Sequence, residues 1–216
     1  MRPIVRSAEP AAFTAWKALA SPDWQPSWDN FQKPEKPEVL TALLRDQGFV
    51  CSYCEQRVDM RGSHIEHLES RHAAPHRALE FSNLLASCQG ELPREPAHCG
   101  HLKGHEPLGV HPLLPECREY FIFDSAGGIR SSPDPARAAS AQHAIATLGL
   151  GIPKLMAMRR AAIEGAMALL QEGASDEEIR RFIAVIDDRD AAGQHTPFAS
   201  AIVQFLTAYL VPAPAS

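Results

Sequence analysis

The hydrophobic residues of the chain recur at helical spacing near its N-terminal end. Phe13 and Trp16 predict a short first helix, and leucines from Leu40 onward predict a second, which Gly48 is expected to end. Between these helices, residues 22–37 contain four prolines and are predicted to run as an extended segment. Its two tryptophans are interpreted as packing anchors rather than as platforms for stacked bases.

The C-terminal part of the chain also follows a helical pattern. After a predicted β-hairpin at residues 120–129, apolar residues around Ile145 predict one helix, and Pro153 suits the first turn of the next. Residues 175–178, Ser-Asp-Glu-Glu, have the sequence of a capping box. A last amphipathic helix is marked by Phe198, Ile202, Phe205, Leu206 and Tyr209. This part carries no chemically suggestive motif, so it is expected to be a helical scaffold or a docking surface.

The middle of the chain, residues 49–106, lacks a clear period and is rich in side chains that bind metals. Seven of the ten histidines and four of the five cysteines lie there. This composition is typical of a small module that a metal ion holds together in place of a large core. We therefore predict three segments, namely a helical and proline-rich one (1–48), the module (49–106), and a hairpin followed by helices (107–216).

Composition and charge narrow the possible functions. The chain of 216 residues is 45% hydrophobic and 22% charged, as is usual for a globular protein. No apolar run reaches the roughly 20 residues of a membrane span. The first residues lack the apolar stretch of a signal peptide, so a cytoplasmic location is expected. The net charge of -5 is unfavourable for a protein that holds nucleic acid unaided, because phosphate contacts need lysine and arginine.

Two pairs of cysteines in the module predict a structural zinc site. Cys51 and Cys54 form a C-x-x-C knuckle, whose turn can point both sulfurs at one tetrahedral ion. Cys88 and Cys99 form a second pair around an insert of ten residues, which flexible loop closure tolerates. We expect these four thiolates to hold one Zn²⁺, since disulfides are unfavourable in a reducing compartment.

The sequence leaves other readings of the cysteines open. They could be buried core residues without a ligand, or Cys51 and Cys54 could be a redox pair, although the βαβ pattern typical of such pairs is missing. His98, next to Cys99, could replace one thiolate. Cys117 stands apart from the others and is expected to be a core residue.

Between the two cysteine pairs, the tetrapeptide at residues 64–67, His-Ile-Glu-His, combines a carboxylate with imidazoles. Side chains alternate between the faces of a strand, so a bend would be needed for Glu66 and His67 to converge. A carboxylate can hold a divalent ion that stabilises charge on a scissile phosphate. A neutral histidine can take a proton from the attacking water. Alone, however, the tetrapeptide is weak evidence, because histidine and glutamate are common on surfaces.

In their order along the chain, these motifs resemble the HNH endonuclease superfamily. Its pattern has a C-x-x-C knuckle, an acid–histidine pair, an Asn-Leu, and a second cysteine pair followed by Asn or His and a Lys-Gly. Within it, the chain is similar to the PtuB-like nucleases of Septu anti-phage systems and of some retrons, and this similarity includes the tail at residues 145–159. The matching segments are 51–55 (CSYCE), 64–67 (HIEH), 83–88 (NLLASC) and 99–104 (CGHLKG).

The resemblance implies roles for individual residues. His67 corresponds to the general base, Glu66 to the acidic metal ligand, and His101 to a second metal ligand at the start of the motif helix. Asn83 corresponds to the central asparagine, which braces the loop behind the base and is not itself a ligand. The structural zinc ligands correspond to Cys51, Cys54, Cys88 and Cys99.

Three departures from the family pattern affect the metal ligands. The acid is glutamate instead of the usual aspartate, the insert in the second cysteine pair is long, and His101 lies two residues after Cys99 instead of directly after it. His105, one turn further along the predicted helix, is therefore an alternative ligand. His64 could be another, although a solvated or outer position is favoured for it. Lys103 could contact phosphate or be solvated.

Sequence and resemblance together predict an α+β protein, in which a small zinc-stapled ββα-metal module is embedded among helices. The predicted reaction is hydrolysis of nucleic-acid phosphodiester bonds, with Mg²⁺ as the expected catalytic ion and DNA favoured over RNA or tRNA. The resemblance also implies a PtuA-like ATPase partner and a role in anti-phage defence. The alternative is a non-catalytic zinc module that binds nucleic acid or protein, which leaves the spacing of Glu66, His67, Asn83 and His101 without an explanation.

Overall fold

The computed structural model describes residues 1–90, 96–170 and 173–210, which form helices and short strands. The elements, in chain order, are α1 (Ala11–Lys17), α2 (Glu35–Asp46), β1 (Ser63–His67), β2 (Leu84–Cys88), α3 (Gly100–Lys103), β3 (Phe121–Phe123), β4 (Ile129–Ser131), α4 (Pro135–Thr147), α5 (Pro153–Leu169), α6 (Asp176–Asp187) and α7 (Ala199–Thr207). Short 3₁₀ turns lie at Pro75–Arg77, Phe81–Asn83 and Cys117–Tyr120. The predicted mixture of helices and strands is confirmed.

The two N-terminal helices form largely as the hydrophobic pattern predicts. α1 buries Phe13 and Trp16, whose rings pack against Phe31 of the proline-rich segment. α2 ends before Gly48, which has a φ of 60° and so ends the helix as expected. The extended segment is shorter than predicted, because α2 already includes Pro37. A proline is tolerated in the first turn of a helix, where the backbone N–H would have no helical partner.

The strands β1 and β2 pair in antiparallel fashion, with His67 opposite Leu84. β2 is buried at every position. The side chain of Gln47 takes the place of a third strand beside it. Its Nε2 donates to the carbonyl oxygen of Ala86 (2.9 Å), and its Oε1 accepts the N–H of the same residue (2.8 Å). The backbone of the buried strand is therefore satisfied on the side away from β1.

The C-terminal region consists of the predicted hairpin, β3 and β4, followed by α4 to α7. Two local signals are confirmed, since Pro153 begins α5, and Ser175 and Glu178 form both hydrogen bonds of a capping box at α6. The last helix is shorter than its apolar pattern, because Phe198 is its N-cap and Tyr209 lies beyond its end. None of the described helices is both long and apolar enough to cross a membrane.

Two hydrophobic clusters hold these elements together. The larger one extends from Phe13 of α1 through the β1–β2 sheet to Leu155 of α5, and it contains Cys117, as predicted for a core cysteine. The second lies among α5, α6 and α7 and includes Ile163 and Ile202. The larger cluster takes residues from all three predicted segments, and the predicted boundaries between these segments stay a prediction.

The C-terminal region is fastened to the cysteine knuckle by two sets of contacts. Glu55, which follows Cys54 directly, accepts the N–H of Ser200 on Oε2 (3.0 Å). The N–H of His195 donates to the carbonyl oxygen of Gly48 (2.9 Å), and Arg57 donates to the carbonyl oxygen of His195 (2.6 Å). These contacts hold the start of α7 against the module at residues 49–106.

Candidate active site

Four cysteines meet at one point beside the β1–β2 sheet. The sulfur atoms all lie within 4.8 Å of one another and belong to Cys51, Cys54, Cys88 and Cys99. All four side chains are buried. Thiolates bound to one tetrahedral zinc, with Zn–S distances of about 2.3 Å, lie about 3.8 Å apart. The predicted clustering is therefore confirmed, and the cluster has the donor set and the size of a structural zinc site.

The backbone around this cluster is strained. Glu55, Gln89 and Cys99 adopt positive φ angles of 65°, 63° and 54°. For a residue other than glycine, this conformation costs on the order of 1 kcal/mol. All three residues are at the cysteines or directly after them. An ion that bound the four sulfurs would offset this cost, because its binding free energy contributes to folding.

His98 flanks the cysteine cluster instead of replacing a member of it. Its Nδ1–H donates to the carbonyl oxygen of Pro96 (3.0 Å), and its Nε2 lies 3.5 Å from the sulfur of Cys88. Hydrogen bonds from the neighbouring thiols lower the pKa of Cys88, whereas burial raises the pKa values of Cys54 and Cys99. A bound cation would favour the thiolate form of all four cysteines.

Next to the sheet, a cleft of about 530 Å³ is lined by three of the four predicted catalytic residues, namely Glu66, His67 and His101. Glu66 and His67 both line it, although β1 continues without a bend as far as His67. His67 is the last residue of the strand. Four further histidines line the cleft, namely His64, His72, His101 and His105.

Asn83 braces the loop that follows β1. Its Oδ1 accepts the N–H of Glu69 (2.8 Å), and its Nδ2 donates to the carbonyl oxygens of Glu69 (3.0 Å) and Arg77 (3.2 Å). The residue is completely buried. These contacts are those expected of a brace, since both polar atoms of the amide are used by the backbone of the loop.

His67 is held in one tautomer and one orientation. A carbonyl oxygen only accepts, so Nε2 must carry the proton that it donates to Ala78 O (3.0 Å), and Nδ1 keeps the lone pair when the ring is neutral. The ring of Trp28 contacts the imidazole edge-on, with the centroids 4.3 Å apart. Burial lowers the pKa of His67, and the charges of Arg71 and Lys103 lower it further. The imidazole is therefore poised as a neutral proton acceptor.

Lys103 does not lie where the sequence predicts. It was predicted to contact phosphate or solvent, but its side chain is buried. Its Nζ lies 2.9 Å from Glu66 Oε1 and donates to the carbonyl oxygen of His67 (3.0 Å). Its position at the last residue of α3, a helix whose N-cap is a cysteine of the cluster, places it beside the buried sheet.

Gly100 faces two polar atoms of the cleft. A Cβ atom at this position would lie 2.7 Å from Glu66 Oε2 and 2.9 Å from His64 Nε2. These two atoms are 3.7 Å apart. A carboxylate oxygen and an imidazole nitrogen that face a space left by a missing side chain fit a small divalent cation. The donor set therefore fits the catalytic ion that the HNH resemblance implies.

The two other histidines proposed as ligands have different surroundings. The ring of His101 stacks on His64, with centroids 4.1 Å apart and the planes at 28°, and its Nε2–H donates to the carbonyl oxygen of Gln89 (2.7 Å). His105 was predicted to share a helix face with His101. This prediction is wrong, because α3 ends at Lys103 and His105 lies beyond it. Its ring packs beside that of His72, with centroids 5.3 Å apart.

Comparison with known proteins assigns this chain to a family, although no family model matches it. A Vibrio cholerae protein named "Retron Vc95 putative HNH endonuclease" is 32% identical over 141 residues, which cover 63% of this chain and 68% of that protein. An Escherichia coli protein, "Retron Ec83 putative HNH endonuclease", is 29% identical over 134 residues, covering 47% of this chain and 52% of that protein. A match to the Danio rerio histone-lysine N-methyltransferase SETDB2, 33% identical, covers only 18% of that protein and carries no assignment. The chain therefore belongs to the family of retron-associated HNH endonuclease homologues.

Proposed function

We propose that the protein is a metal-dependent endonuclease that hydrolyses phosphodiester bonds of nucleic acid. In this proposal, β1, β2 and α3 form a ββα-metal module around the cleft. The observation that carries it is that Glu66 and His67 line one cleft. This cleft is distinct from the cysteine cluster, so one ion can stabilise the module while another takes part in the reaction.

In the proposed reaction, the Nδ1 atom of His67 accepts a proton from the water that attacks phosphorus. The carbonyl oxygen of Ala78 holds the required tautomer, and Trp28 holds the plane of the ring. Asn83 fixes the loop behind them. Glu66, with one of the neighbouring histidines, His101 by the family resemblance, holds the divalent ion, for which we propose Mg²⁺ by the same resemblance. When bound, that ion supplies positive charge to the scissile phosphate and the leaving oxygen.

Two cations beside Trp28, a residue that lines the cleft, support nucleic acid as the substrate. Lys36 Nζ lies 5.0 Å, and the guanidinium carbon of Arg71 5.3 Å, from the centroid of the Trp28 ring. Burial and the nearby charge of Arg71 lower the pKa of Lys36. Two neighbouring cations beside an aromatic ring offer contacts for a phosphate backbone. They provide local attraction in a chain whose net charge is -5. We propose DNA as the first candidate, with RNA and tRNA as alternatives.

We further propose that this nuclease is PtuB-like and acts in the cytoplasm in anti-phage defence, together with a PtuA-like ATPase. Both retron relatives carry an HNH endonuclease in their names. Apolar side chains that could contact a partner are exposed on or next to the C-terminal helices, namely Leu169, Val185 and Tyr209.

After co-expression with such an ATPase, the two proteins should elute together in size-exclusion chromatography. Separate elution at micromolar concentration, with full activity of this chain alone, would exclude the dependence.

The catalytic proposal is tested with the zinc-loaded 216-residue chain on plasmid DNA, single-stranded DNA and tRNA, with and without the ATPase. We expect cleavage that requires a divalent ion. His67→Ala should lower its rate roughly 10²–10⁴-fold while zinc content and melting temperature stay unchanged. The matched control is His76→Ala, an exposed histidine of the same loop, which should cleave normally. A wild-type protein that binds nucleic acid but cleaves none of these substrates would favour the non-catalytic zinc module instead.

A further inference from the structure

We propose that His64 Nε2, together with Glu66 Oε2, binds the catalytic divalent ion in the space that Gly100 leaves free. This inference rests on the proposed function and assigns the nitrogen ligand of that site. It differs from the expectation for His101, to which we give the role of positioning His64.

The distance between the two atoms favours a shared cation over a hydrogen bond. His64 Nε2 and Glu66 Oε2 are 3.7 Å apart. A nitrogen–oxygen hydrogen bond is usually about 2.7–3.2 Å long, so this contact is too long for one. Two ligands that each lie about 2.1 Å from one ion can be no more than about 4.2 Å apart. The observed separation lies inside that limit.

The two carboxylate oxygens of Glu66 have different surroundings, and only one of them faces the proposed ion. Its Oε1 is 2.9 Å from the buried ammonium of Lys103, which takes up that side of the carboxylate. Its Oε2 lies on the side of Gly100 and His64. The buried ion pair therefore orients the carboxylate and leaves Oε2 for the cleft.

The gap at Gly100 is held open by the backbone around it. The N–H of Gly100 donates to Ser87 Oγ (3.1 Å), and the N–H of Cys99 donates to the carbonyl oxygen of Leu148 (2.8 Å). Any Cβ at residue 100 would lie 2.7 and 2.9 Å from the two proposed ligand atoms, which is closer than carbon approaches such atoms. A larger residue at this position would therefore occupy the space that the ion needs.

His101 supports His64 from the other side. Its Nε2–H donates a hydrogen bond to the carbonyl oxygen of Gln89 (2.7 Å), and this bond fixes the plane of the ring. The His64 ring lies on that plane at a centroid distance of 4.1 Å. Stacking on a fixed ring limits the rotation of His64 and keeps its Nε2 directed at the gap.

A ligand pair of this kind has a consequence for the choice of metal. Imidazole favours first-row transition ions, whereas Mg²⁺ prefers oxygen ligands and keeps several waters. We therefore expect Mn²⁺, Co²⁺ or Ni²⁺ to bind more tightly than Mg²⁺. The same preference would follow if His101 supplied the nitrogen, so the choice between the two histidines rests on the variants described next.

The experiment uses the 216-residue chain with its zinc site filled and Mn²⁺ as the probe. Calorimetry gives the Kd of Mn²⁺, and pulsed electron paramagnetic resonance detects nitrogen bound to it. We expect a nitrogen signal in the wild type. In His64→Ala this signal should be lost and the Kd should rise at least tenfold. The signal should be retained in His101→Ala, with a smaller change in affinity, and in the control His76→Ala. His64→Asp should bind Mg²⁺ more tightly than His64→Ala does, since it restores an oxygen ligand.

Gly100→Ala provides an independent variant, because it fills the gap without removing a ligand. It should weaken Mn²⁺ binding as His64→Ala does, and it tests whether the ion occupies the gap even if His64→Ala loses its zinc. A nitrogen signal that survives in His64→Ala and disappears in His101→Ala would overturn the assignment. If wild-type protein cleaves nucleic acid with Mn²⁺ while the His64 variant binds Mn²⁺ equally well, only this inference fails. If the wild type neither binds Mn²⁺ nor cleaves, the proposed function fails with it.

Discussion

Lys103 shows how one buried charge shapes the chemistry of the cleft. Its ammonium group lies between Glu66 Oε1 and the carbonyl oxygen of His67, so it joins the two proposed catalytic residues. A buried carboxylate without a partner would be costly, and the lysine compensates its charge. The same positive charge also opposes the binding of a cation at Oε2. Lys103 therefore stabilises the fold and at the same time limits the affinity of the proposed ion site.

We predict opposite effects of Lys103→Met on stability and on metal affinity. The variant should unfold about 3 kcal/mol more easily in the absence of added divalent ion, because Glu66 is left buried and unpaired. It should bind Mn²⁺ more tightly, because the competing charge is gone. Urea unfolding and calorimetry measure the two effects. The control Lys154→Met removes an exposed lysine and should change neither, whereas a Lys103 variant as stable as the wild type would contradict the prediction.

At the scale of residues, the sequence predicted ligand types better than their surroundings. The four cysteines were recognisable because C-x-x-C spacing is a local constraint, and the structure brings them within 4.8 Å. Glu66 and His67 were recognisable as neighbours. The burial of Lys103 depends on how deeply α3 sits against β1, and the importance of Gly100 depends on two side chains of that strand, Glu66 and His64. Such facts are set by tertiary packing, which a single sequence does not display.

At the scale of elements, the contact between the end of α2 and the loop before α7 determines how the C-terminal region docks. Gly48 has a φ of 60°, and a Cβ there would lie 2.4 Å from the ring of His195 and 2.9 Å from its backbone nitrogen. The N–H of His195 also donates to the carbonyl oxygen of Gly48 (2.9 Å). Gly48 therefore has two roles. It ends α2, and its lack of a side chain lets the loop at His195 pack against the backbone there.

We predict that Gly48→Ala is much more destabilising than Gly193→Ala. Both glycines have a positive φ, 60° and 73°, so both alanine variants lose about 1 kcal/mol to backbone strain. At Gly193 the added carbon meets nothing within 4 Å, whereas at Gly48 it collides with His195. We expect a total loss of about 3 kcal/mol or more for Gly48→Ala in urea unfolding. Equal losses for the two variants would mean that His195 does not pack there.

The same histidine makes the docking dependent on pH. Burial lowers the pKa of His195 to about 4, with the charges of Arg2 and Arg189 acting in the same direction. In the unfolded chain its pKa is about 6.5, so between these values the unfolded state binds a proton that the folded state does not. Stability should therefore fall as the pH drops from 6.5 to 4 and should not change above that range on account of this group.

We expect this effect to contribute about 1 kcal/mol, since the ring is only half-buried and solvent screens part of the shift. The measurement is the free energy of unfolding at pH 7 and pH 4.5 for the wild type and for His195→Gln. The wild type should lose more on acidification than the variant does. An equal loss in both proteins would show that His195 titrates normally in the folded state.

Elements with strong local signals were predicted well, and the others were not. Pro153 and the capping box at Ser175 mark the starts of α5 and α6 because a helix start depends on nearby residues. The start of α2 was placed too late, because Pro37 was read as part of the extended segment although the first turn of a helix accepts proline. The pairing of Gln47 with β2 could not be predicted, since it joins residues that are 39 positions apart.

At the scale of the whole molecule, the cysteine cluster lies where several parts of the chain meet. Cys51 and Cys54 belong to the knuckle, Cys88 ends β2, and Cys99 precedes α3. Glu55, directly after the knuckle, also binds the start of α7. Disorder at the cluster would therefore reach the sheet, the cleft and the C-terminal helices together.

We predict one zinc ion per chain and a cooperative loss of structure when it is removed. Elemental analysis of freshly purified protein should give about one zinc per chain. A strong chelator should then lower the melting temperature and the helical content together, because zinc binding contributes to folding. Cys88→Ser should behave like the chelated protein, whereas Cys117→Ser, outside the cluster, should keep its zinc. Protein that contains no zinc and is indifferent to chelators would contradict this prediction.

The adjacency of Cys99 and Gly100 gives the two proposed ion sites a thermodynamic relation. One residue supplies a sulfur to the cluster, and the next leaves the gap between Glu66 and His64, so the peptide bond between them belongs to both sites. If zinc fixes that peptide and raises the affinity for the second ion, linkage requires the second ion to raise the affinity for zinc by the same factor. A catalytic ion would then protect the protein against loss of its structural one. Under metal scarcity, the protein would then lose the proposed activity and its fold in a single concerted transition, without passing through a folded but inactive form.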